Sequence, residues 1–310
     1  MPTRIVITGA TGFIGHAILE HLLARGRAVS VLLRENSDRS RLAGLGGFQI
    51  HHYKKLSDPA TVAELRGIAP DVFIHCAWRG VGGKDRNEGF QITDNLPFTL
   101  DAVNLAAAAG CRQWVGLGSQ AEYGNQNRKL SEDAPLTPTT LYGKAKLAAG
   151  IAALGLCEAL GLKGAWLRVF STYGPGDAPH WLIPYVIQEL IAKRPPRLSA
   201  CEQLWDYLYV SDAARAIASV ANGNTGGVFN LGSGTAHPLK EVIEMIRAEV
   251  GGKVSPDYGA VPYRPDQIMH LEADIARLQA TAGWNAEVGL LEGIRATIAF
   301  EKSRLSIPSA

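Results

Sequence analysis

The sequence predicts an α/β protein: a doubly wound parallel sheet joined to a smaller, interleaved C-terminal α/β lobe. Three observations predict it. Short apolar runs alternate with helical patterns through the first half, as strands covered by helices on both faces do. Gly26, Gly110 and Gly161 stand just past three of the helical runs, where a left-handed cap is wanted. After about Val169 the rhythm loosens into turn-rich sequence, so a second unit starts there.

Taken in order, strands are expected at Ile5–Thr8, Val29–Leu33, Phe48–His52, Val72–Cys76, Trp114–Leu117 and Ala165–Val169. Helices are expected near Phe13–Arg25, Pro59–Arg66, Asn95–Ala109 and Thr139–Leu160. Gly174-Pro175-Gly176 marks a turn, and Arg194-Pro195-Pro196 ends a helix that starts near Trp181. Val228–Leu231 is short and apolar enough to rejoin the first sheet. The expected division is therefore 1–170 for the first unit, rejoined by a segment near 225–235, and 171–310 for the second.

A net charge of +2, with Lys and Arg scattered, argues against nucleic acid or an anionic membrane and leaves room for a small anionic ligand. Cys76, Cys111, Cys157 and Cys201 lie far apart without a CxxC pair, which argues against a zinc site and a disulfide framework, so no metal is expected. The N-terminal MPTRIVITG runs directly into a strand, and no apolar run approaches the ~18 residues of a membrane helix. A cytoplasmic protein is expected.

The segment Ile5-Val6-Ile7-Thr8-Gly9-Ala10-Thr11-Gly12-Phe13-Ile14-Gly15 sets three glycines three apart between a strand and an amphipathic helix. Gly9 permits the tight turn, Gly12 lets backbone N–H groups approach a pyrophosphate, and Gly15 lets helix and strand pack closely, as in the Rossmann dinucleotide site. Thr11, Phe13 and Ile14 belong to the same cofactor loop, and the helix N-terminus adds partial positive charge for the diphosphate. At the end of the second strand, where NAD selectivity wants a carboxylate, the chain has Arg34. Its guanidinium suits a ribose 2′-phosphate, with Ser37 and Arg39 near in sequence to add donors, so NADP is the expected cofactor and NAD the alternative. In that alternative Arg34 is a solvated loop charge and Glu35 faces the ribose.

Tyr142 and Lys146 stand four apart, on one helical face. A phenol normally titrates near pH 10. A neighbouring ammonium favours the phenolate and brings it into range for acid/base work. Ser119, ending a strand, is placed to hydrogen-bond a reacting carbonyl or hydroxyl oxygen, and Asn95 to hold a water or backbone kink that continues a proton path to Lys146. A YxxxK pair alone is usually surface decoration; the order glycine loop, Asn95, Ser119, Tyr142/Lys146 gives this one weight.

These motifs closely resemble the extended short-chain dehydrogenase/reductase superfamily, in its NAD(P)-dependent sugar nucleotide epimerase/dehydratase/reductase group. The resemblance runs through Ile74-His75-Cys76-Ala77, Gly118-Ser119-Gln120-Ala121-Glu122-Tyr123-Gly124, Arg168 to Gly176, Asp206 to Asp212, Phe229 to Gly234 and Leu278 to Trp284, nearly the full length. It implies hydride transfer at a sugar carbon. Tyr142 would move the proton, Lys146 would tune it and grip the nicotinamide ribose, Ser119 would orient the oxygen, and Ala77 would line the cofactor site. A nucleotide-diphosphate sugar would lie in the second lobe, against Ser119, Gln120, Tyr142, Ser171, His180 and Arg264. Arg264 matches an arginine that relatives use on the diphosphate, its alternative being a bridge between lobes through Asp266; a lone His180 is more often structural. The resemblance also implies a homodimer built partly from the helices Asn95–Ala109 and Thr139–Leu160.

Departures from the family pattern narrow the reaction. Relatives that dehydrate place Asp and Glu directly after the serine, where this chain has Gln120 and Ala121. Relatives that epimerise at C3 and C5 place a cysteine where Ala121 stands. Ser171 replaces an asparagine used on the substrate phosphate, and Trp205 replaces an arginine. Trp78 to Gly89, with Gly80, Gly82 and Gly83, suits a flap over the substrate and equally an ordinary surface loop. The leading expectation is NADPH-dependent reduction of a 4-keto-(6-deoxy) nucleotide-diphosphate sugar; the alternatives are an NAD-dependent C4 epimerase and a non-catalytic dinucleotide-sensing protein.

Overall fold

The structure, a computed structural model, describes residues 3–306. Its elements run β1 (Arg4–Thr8), α1 (Phe13–Ala24), β2 (Ala28–Arg34), β3 (Phe48–Tyr53), α2 (Pro59–Ile68), β4 (Val72–His75), α3 (Phe90–Thr93), α4 (Asn95–Ala108), β5 (Gln113–Ser119), β6 (Arg128–Leu130), α5 (Leu141–Ala159), β7 (Lys163–Val169), β8 (Ser171–Tyr173), α6 (Leu182–Ile191), β9 (Leu204–Tyr209), α7 (Val210–Asn222), β10 (Gly227–Leu231), β11 (Ala236–Pro238), α8 (Leu239–Val250), β12 (His270–Ala273), α9 (Ala276–Ala282) and α10 (Leu290–Ser306).

Seven strands form one parallel sheet in the order β10-β7-β5-β4-β1-β2-β3. A strand buried on both faces reads as a continuous apolar run, and β1 shows why. Ile5 and Ile7 point into the cluster under α1 and α7, while Val6 points into the cluster with Phe73, Trp114 and Trp166. All three are at most 1% exposed, which is worth about 1.5–3 kcal/mol each. Chain order reverses between β1 and β4, so their C-terminal ends open the crevice in which such sheets bind ligands.

A second sheet, in the order β11-β9-β12-β6, lies beyond this crevice, and β8 pairs with the other edge region of β9. The chain passes between the two sheets five times: from β5 to β6, back to β7, out to β8 and β9, back to β10, and out again to β11 and β12. A third apolar cluster, with Ile183, Val186, Ile187, Val242, Ile246 and Ile294, joins α6, α8 and α10. Among the described residues no helix is long and apolar enough to cross a membrane.

Candidate active site

The turn after β1 is built for close backbone approach. Gly9 has φ +75°, and a Cβ there would lie 2.6 Å from the Ala77 nitrogen. A Cβ on Gly15 would fall on the Gly9 carbonyl oxygen, so helix α1 reaches the strand only because that side chain is missing. Gly12 donates to the Gly9 oxygen at 2.9 Å and closes the turn. The turn opens onto a groove of about 760 Å³ lined by Gly9, Thr11, Gly12, Arg34, Ala77 and Trp78, among others. Phe13, Ile14 and Gly15 stand behind it: Phe13 and Ile14 pack on the core, and Gly15 is buried. A cradle of this shape, at a helix N-terminus, fits a dinucleotide.

Arg34, at the end of β2, lines the groove with its guanidinium 5.7 Å from the Phe98 ring centre. Ser37 lines it too. Arg39 does not: its guanidinium bonds the exposed His52 ring at 2.9 Å. The further cations on the groove wall are Arg41, Lys54 and Arg79, and its carboxylates are Glu35 and Asp38. Asp38 is already engaged, accepting from the Ser40 backbone and hydroxyl at 2.9 and 3.0 Å.

Ser119, Tyr142 and Lys146 lie together behind Trp78, a residue of the groove wall: the Ser119 side chain bonds the Tyr142 phenol, and the Lys146 ammonium stands 6.0 Å from the Tyr142 ring centre. Ser119 ends β5 and caps a 3-10 turn, Gln120–Glu122, its hydroxyl accepting from the Ala121 N–H at 3.2 Å. Tyr142 stands in the first turn of α5, which Thr140 caps through the Gly143 N–H. Burial raises the phenol above its ordinary range, while the Ser119 side chain and the Arg86 guanidinium pull it back and Glu122 pushes it up. Lys146, 4% exposed, donates to the Leu117 carbonyl at 2.7 Å and faces the Trp78 ring at 3.7 Å. Burial brings its ammonium down to about 7, with Glu122 opposing.

A buried carboxylate supports this set from behind. Glu122 accepts from the Ser119 N–H at 2.9 Å, the Trp166 indole at 3.0 Å and Arg168 Nε at 2.8 Å. Gly118 and Gly150 make the room: side chains there would run into Trp166, and at Gly118 also into Glu122. Arg168 continues to the Tyr123 hydroxyl, which donates to Asn230 at 2.6 Å.

The loop 76–89 closes over the reacting set. Trp78 donates to Gln91 at 2.8 Å and meets the Tyr142 ring edge-on. Gln91, wholly buried, also donates to the Gly80 and Asp85 carbonyls. Asn95 accepts from Arg79 N–H at 3.0 Å and donates to its carbonyl at 2.9 Å and to Gln91 at 3.1 Å. Its side chain therefore holds the backbone at Arg79, the kind of kink expected of it. At the far side Gly82 and Gly83 face His180 and Arg264, whose Nε2 and Nη2 lie 3.7 and 3.8 Å from where Cβ atoms would stand.

Residues 5–232, more than two thirds of the chain, match the model of the NAD dependent epimerase/dehydratase family. The chain belongs to this family. It is 27% identical to a dTDP-glucose 4,6-dehydratase of Streptomyces griseus over 97% of the chain and 94% of that protein. It is 28% identical to a dTDP-6-deoxy-L-talose 4-dehydrogenase (NAD(P)(+)) of Kitasatospora kifunensis over 95% and 94%. Among solved structures it is similar to a Thermus thermophilus UDP-glucose 4-epimerase in complex with NAD, with a TM-score of 0.81 and 26% identity covering 97% and 99% of the two chains.

Within this family frame, the two departures at Ser171 and Trp205 meet each other: the Trp205 indole donates to the Ser171 hydroxyl at 2.6 Å, across neighbouring strands β8 and β9. Gln120 follows Ser119 with a buried side-chain oxygen that has no partner among the described residues. Gln91, Glu122 and Arg86 were not singled out from sequence. Gln91 sits on a single turn of helix, and Glu122 reads as one more acidic residue in a motif; neither carries a local signal for contacts that span the fold.

Proposed function

We propose that this protein reduces a 4-keto-(6-deoxy) nucleotide-diphosphate sugar with NADPH. The meeting of Ser119, Tyr142 and Lys146 behind Trp78, which lines the groove that begins at the glycine turn, carries this reading. The bound dinucleotide would supply the hydride. Gly9, Thr11, Gly12 and Ala77 would hold it, with Phe13, Ile14 and Gly15 setting the loop. Tyr142 would pass its proton to the sugar oxygen, Ser119 would orient that oxygen, and Lys146 would grip the ribose and return a proton to the phenol. The Gln120 oxygen, lacking a partner, suits a sugar hydroxyl, and Arg264 and His180, beside the flap glycines, suit the diphosphate and the sugar.

Two observations favour reduction over dehydration. Gln120 and Ala121 offer no acid or base, and the first carboxylate after the serine, Glu122, is locked behind the strand by three donors. The cluster Arg34, Arg41 and Lys54 along the groove favours a 2′-phosphate and hence NADP. The second reading is an NAD-dependent C4 epimerase, favoured by Glu35 on the same groove wall and by the similar epimerase that holds NAD. A homodimer through α4 and α5 fits the exposure of Ile151, 65%, on α5.

Purified protein should oxidise NADPH when given a 4-keto-6-deoxy dTDP- or UDP-sugar, saturably, and a Tyr142→Phe variant should not. Stoichiometric bound NAD together with interconversion of UDP-glucose and its C4 epimer, without net NADPH loss, would establish the epimerase instead. Turnover in neither assay, with NADP(H) still bound, would leave the sensing protein.

A further inference from the structure

We propose that Arg86, on the loop that covers the site, is a positioning residue for Tyr142: its guanidinium supplies positive charge beside the phenol when the loop is docked on the start of α5. This rests on the reading of Tyr142 as the proton-moving group.

The Arg86 guanidinium lies 5.1 Å from the centre of the Tyr142 ring. The backbone oxygen of the same residue accepts the Tyr142 N–H at 2.8 Å, and Asn87 Oδ1 accepts the Leu141 N–H at 3.1 Å. The first N–H groups of a helix have no partner inside it. Here the loop provides two of those partners, so capping α5 and bringing the cation to the phenol are one event. Gln91 and Asn95 hold the base of the loop, and Arg86 Nε reaches the Val81 carbonyl at 3.3 Å, which turns the guanidinium inward.

Lys146 is poorly placed to do this work. Its ammonium faces Trp78 and the Leu117 carbonyl, 6.0 Å from the centre of the Tyr142 ring. With its titration brought down to about 7 by burial, it is charged only part of the time near neutrality, whereas a guanidinium stays charged. The groups that act on the phenol are Ser119 from β5, Glu122 from the turn behind it, Arg86 from the loop and Lys146 on its own helix, with His75, ending β4, and Cys76, just after it, beyond Lys146. Of these, Arg86 alone is carried by the segment that lies over the groove. Loop closure over a sugar would then tune the phenol at the moment water is excluded.

The test uses full-length protein with 3,5-difluorotyrosine in place of tyrosine, which moves phenol titration into the neutral range, read by fluorine NMR. The Tyr142 signal is the one lost in Tyr142→Phe. Arg86→Gln should raise its titration midpoint, Arg86→Lys should restore it, and Asn87→Ala, which weakens the docking while keeping the guanidinium, should raise it by less. NADPH affinity should stay within about twofold in all three, because Arg86 is not on the groove wall. A midpoint unchanged or lowered in Arg86→Gln overturns the proposal, and should that variant fail to fold, an unchanged midpoint in Asn87→Ala overturns it. In turnover, a midpoint raised by one unit makes the phenol a weaker acid and should lower kcat by less than about tenfold, with little change in KM. Full activity in Tyr142→Phe would instead overturn the functional reading, whatever the titrations show.

Discussion

Replacing Glu122 by alanine removes the acceptor of three hydrogen bonds at once: those from the Ser119 N–H, the Trp166 indole and Arg168 Nε. Water does not reach them, since Glu122 is 0% exposed, Trp166 1% and Arg168 5%. Arg168 keeps hydrogen bonds to the Tyr123 hydroxyl and the Glu132 carbonyl, both neutral oxygens, so its charge loses the carboxylate it was paired with. Deleting one partner of a buried ion pair costs about 3–5 kcal/mol. Orphaning the Ser119 N–H and the indole adds roughly 1–3 kcal/mol for each that no water can satisfy.

These losses share one site and do not add fully, so the expected destabilisation is about 4–6 kcal/mol, a large part of the ~5–15 kcal/mol that holds a folded protein together. Urea unfolding followed by circular dichroism and by tryptophan fluorescence should show a lower midpoint with an unchanged slope. A double-mutant cycle with Glu122→Gln and Arg168→Gln should then return a coupling of about 1–3 kcal/mol. A loss below about 1 kcal/mol in Glu122→Ala, or an additive cycle, would mean that the pair is not an isolated buried contact, and the account of Ser119 as a group held from behind would fail with it.

Gly9→Ala places a Cβ 2.6 Å from the Ala77 nitrogen at a backbone angle that costs an L-residue about 1–2 kcal/mol, so NADPH affinity should fall at least about tenfold by fluorescence titration; an unchanged Kd would refute the cradle. Arg34→Glu should weaken NADPH by about 10- to 100-fold, the equivalent of one charged hydrogen bond, while NADH changes by less than about threefold; equal losses would show that Arg34 does not meet a 2′-phosphate. His75 is held neutral by burial, down to about 3, with Lys146 adding to the effect. The unfolded chain takes up a proton near 6.5 and the folded one does not until about 3, so this stabilisation is complete above 6.5 and is lost as pH falls between those values. At roughly 1.4 kcal/mol per unit the loss is several kcal/mol, and His75→Gln should flatten that limb of the stability–pH curve; an unaltered limb would place the acid sensitivity elsewhere.

The first half of the fold was legible because strands buried on both faces leave a mark that survives in sequence. The expected Val72–Cys76 and Asn95–Ala109 stand within a residue of β4 and α4, and Thr139–Leu160 within two of α5. Of the rest, α6 matches the helix expected from near Trp181 and β10 the strand expected at Val228–Leu231, and other elements escaped. Strands β6, β8 and β11 are three residues each, too short for alternation to show, and their partners come from distant sequence: Leu271 pairs with Arg128 and Ser171 with Tyr207. Helix α7 escaped for a different reason. Its buried face mixes Val210, Ile217 and Val220 with Ala213, Ala214, Ala216, Ala218 and Ala221, small residues that let it lie close to α1, and it follows β9 directly, with no turn between to mark its start. In the site, the serine, tyrosine and lysine could be placed because each is fixed by its own strand end or helix face. The electrostatics could not: sequence assigns the lysine to the phenol, whereas Trp78 covers the ammonium and an arginine from the loop stands over the ring.

The Ser171 and Trp205 substitutions show how far a residue-by-residue comparison reaches. Each, taken alone, is a lost polar contact to a substrate. Joined by a 2.6 Å hydrogen bond across β8 and β9, they are one change: an amide and a cation are exchanged for a hydroxyl that orients an indole. The edge of the cleft loses formal charge there, and the indole's donor is already used, so the Ser171 hydroxyl, which only accepts in that bond, is the donor the pair has left for an anion. On the function proposed above, charge recognition on that side of the cleft would fall to Arg264, which stands beside Gly83 of the same loop that carries Arg86. A protein arranged in this way should hold its nucleotide sugar weakly with the loop open and tightly with it docked, so the residues that fasten the loop, Gln91, Asn95 and Asn87, should affect sugar binding without touching the sugar.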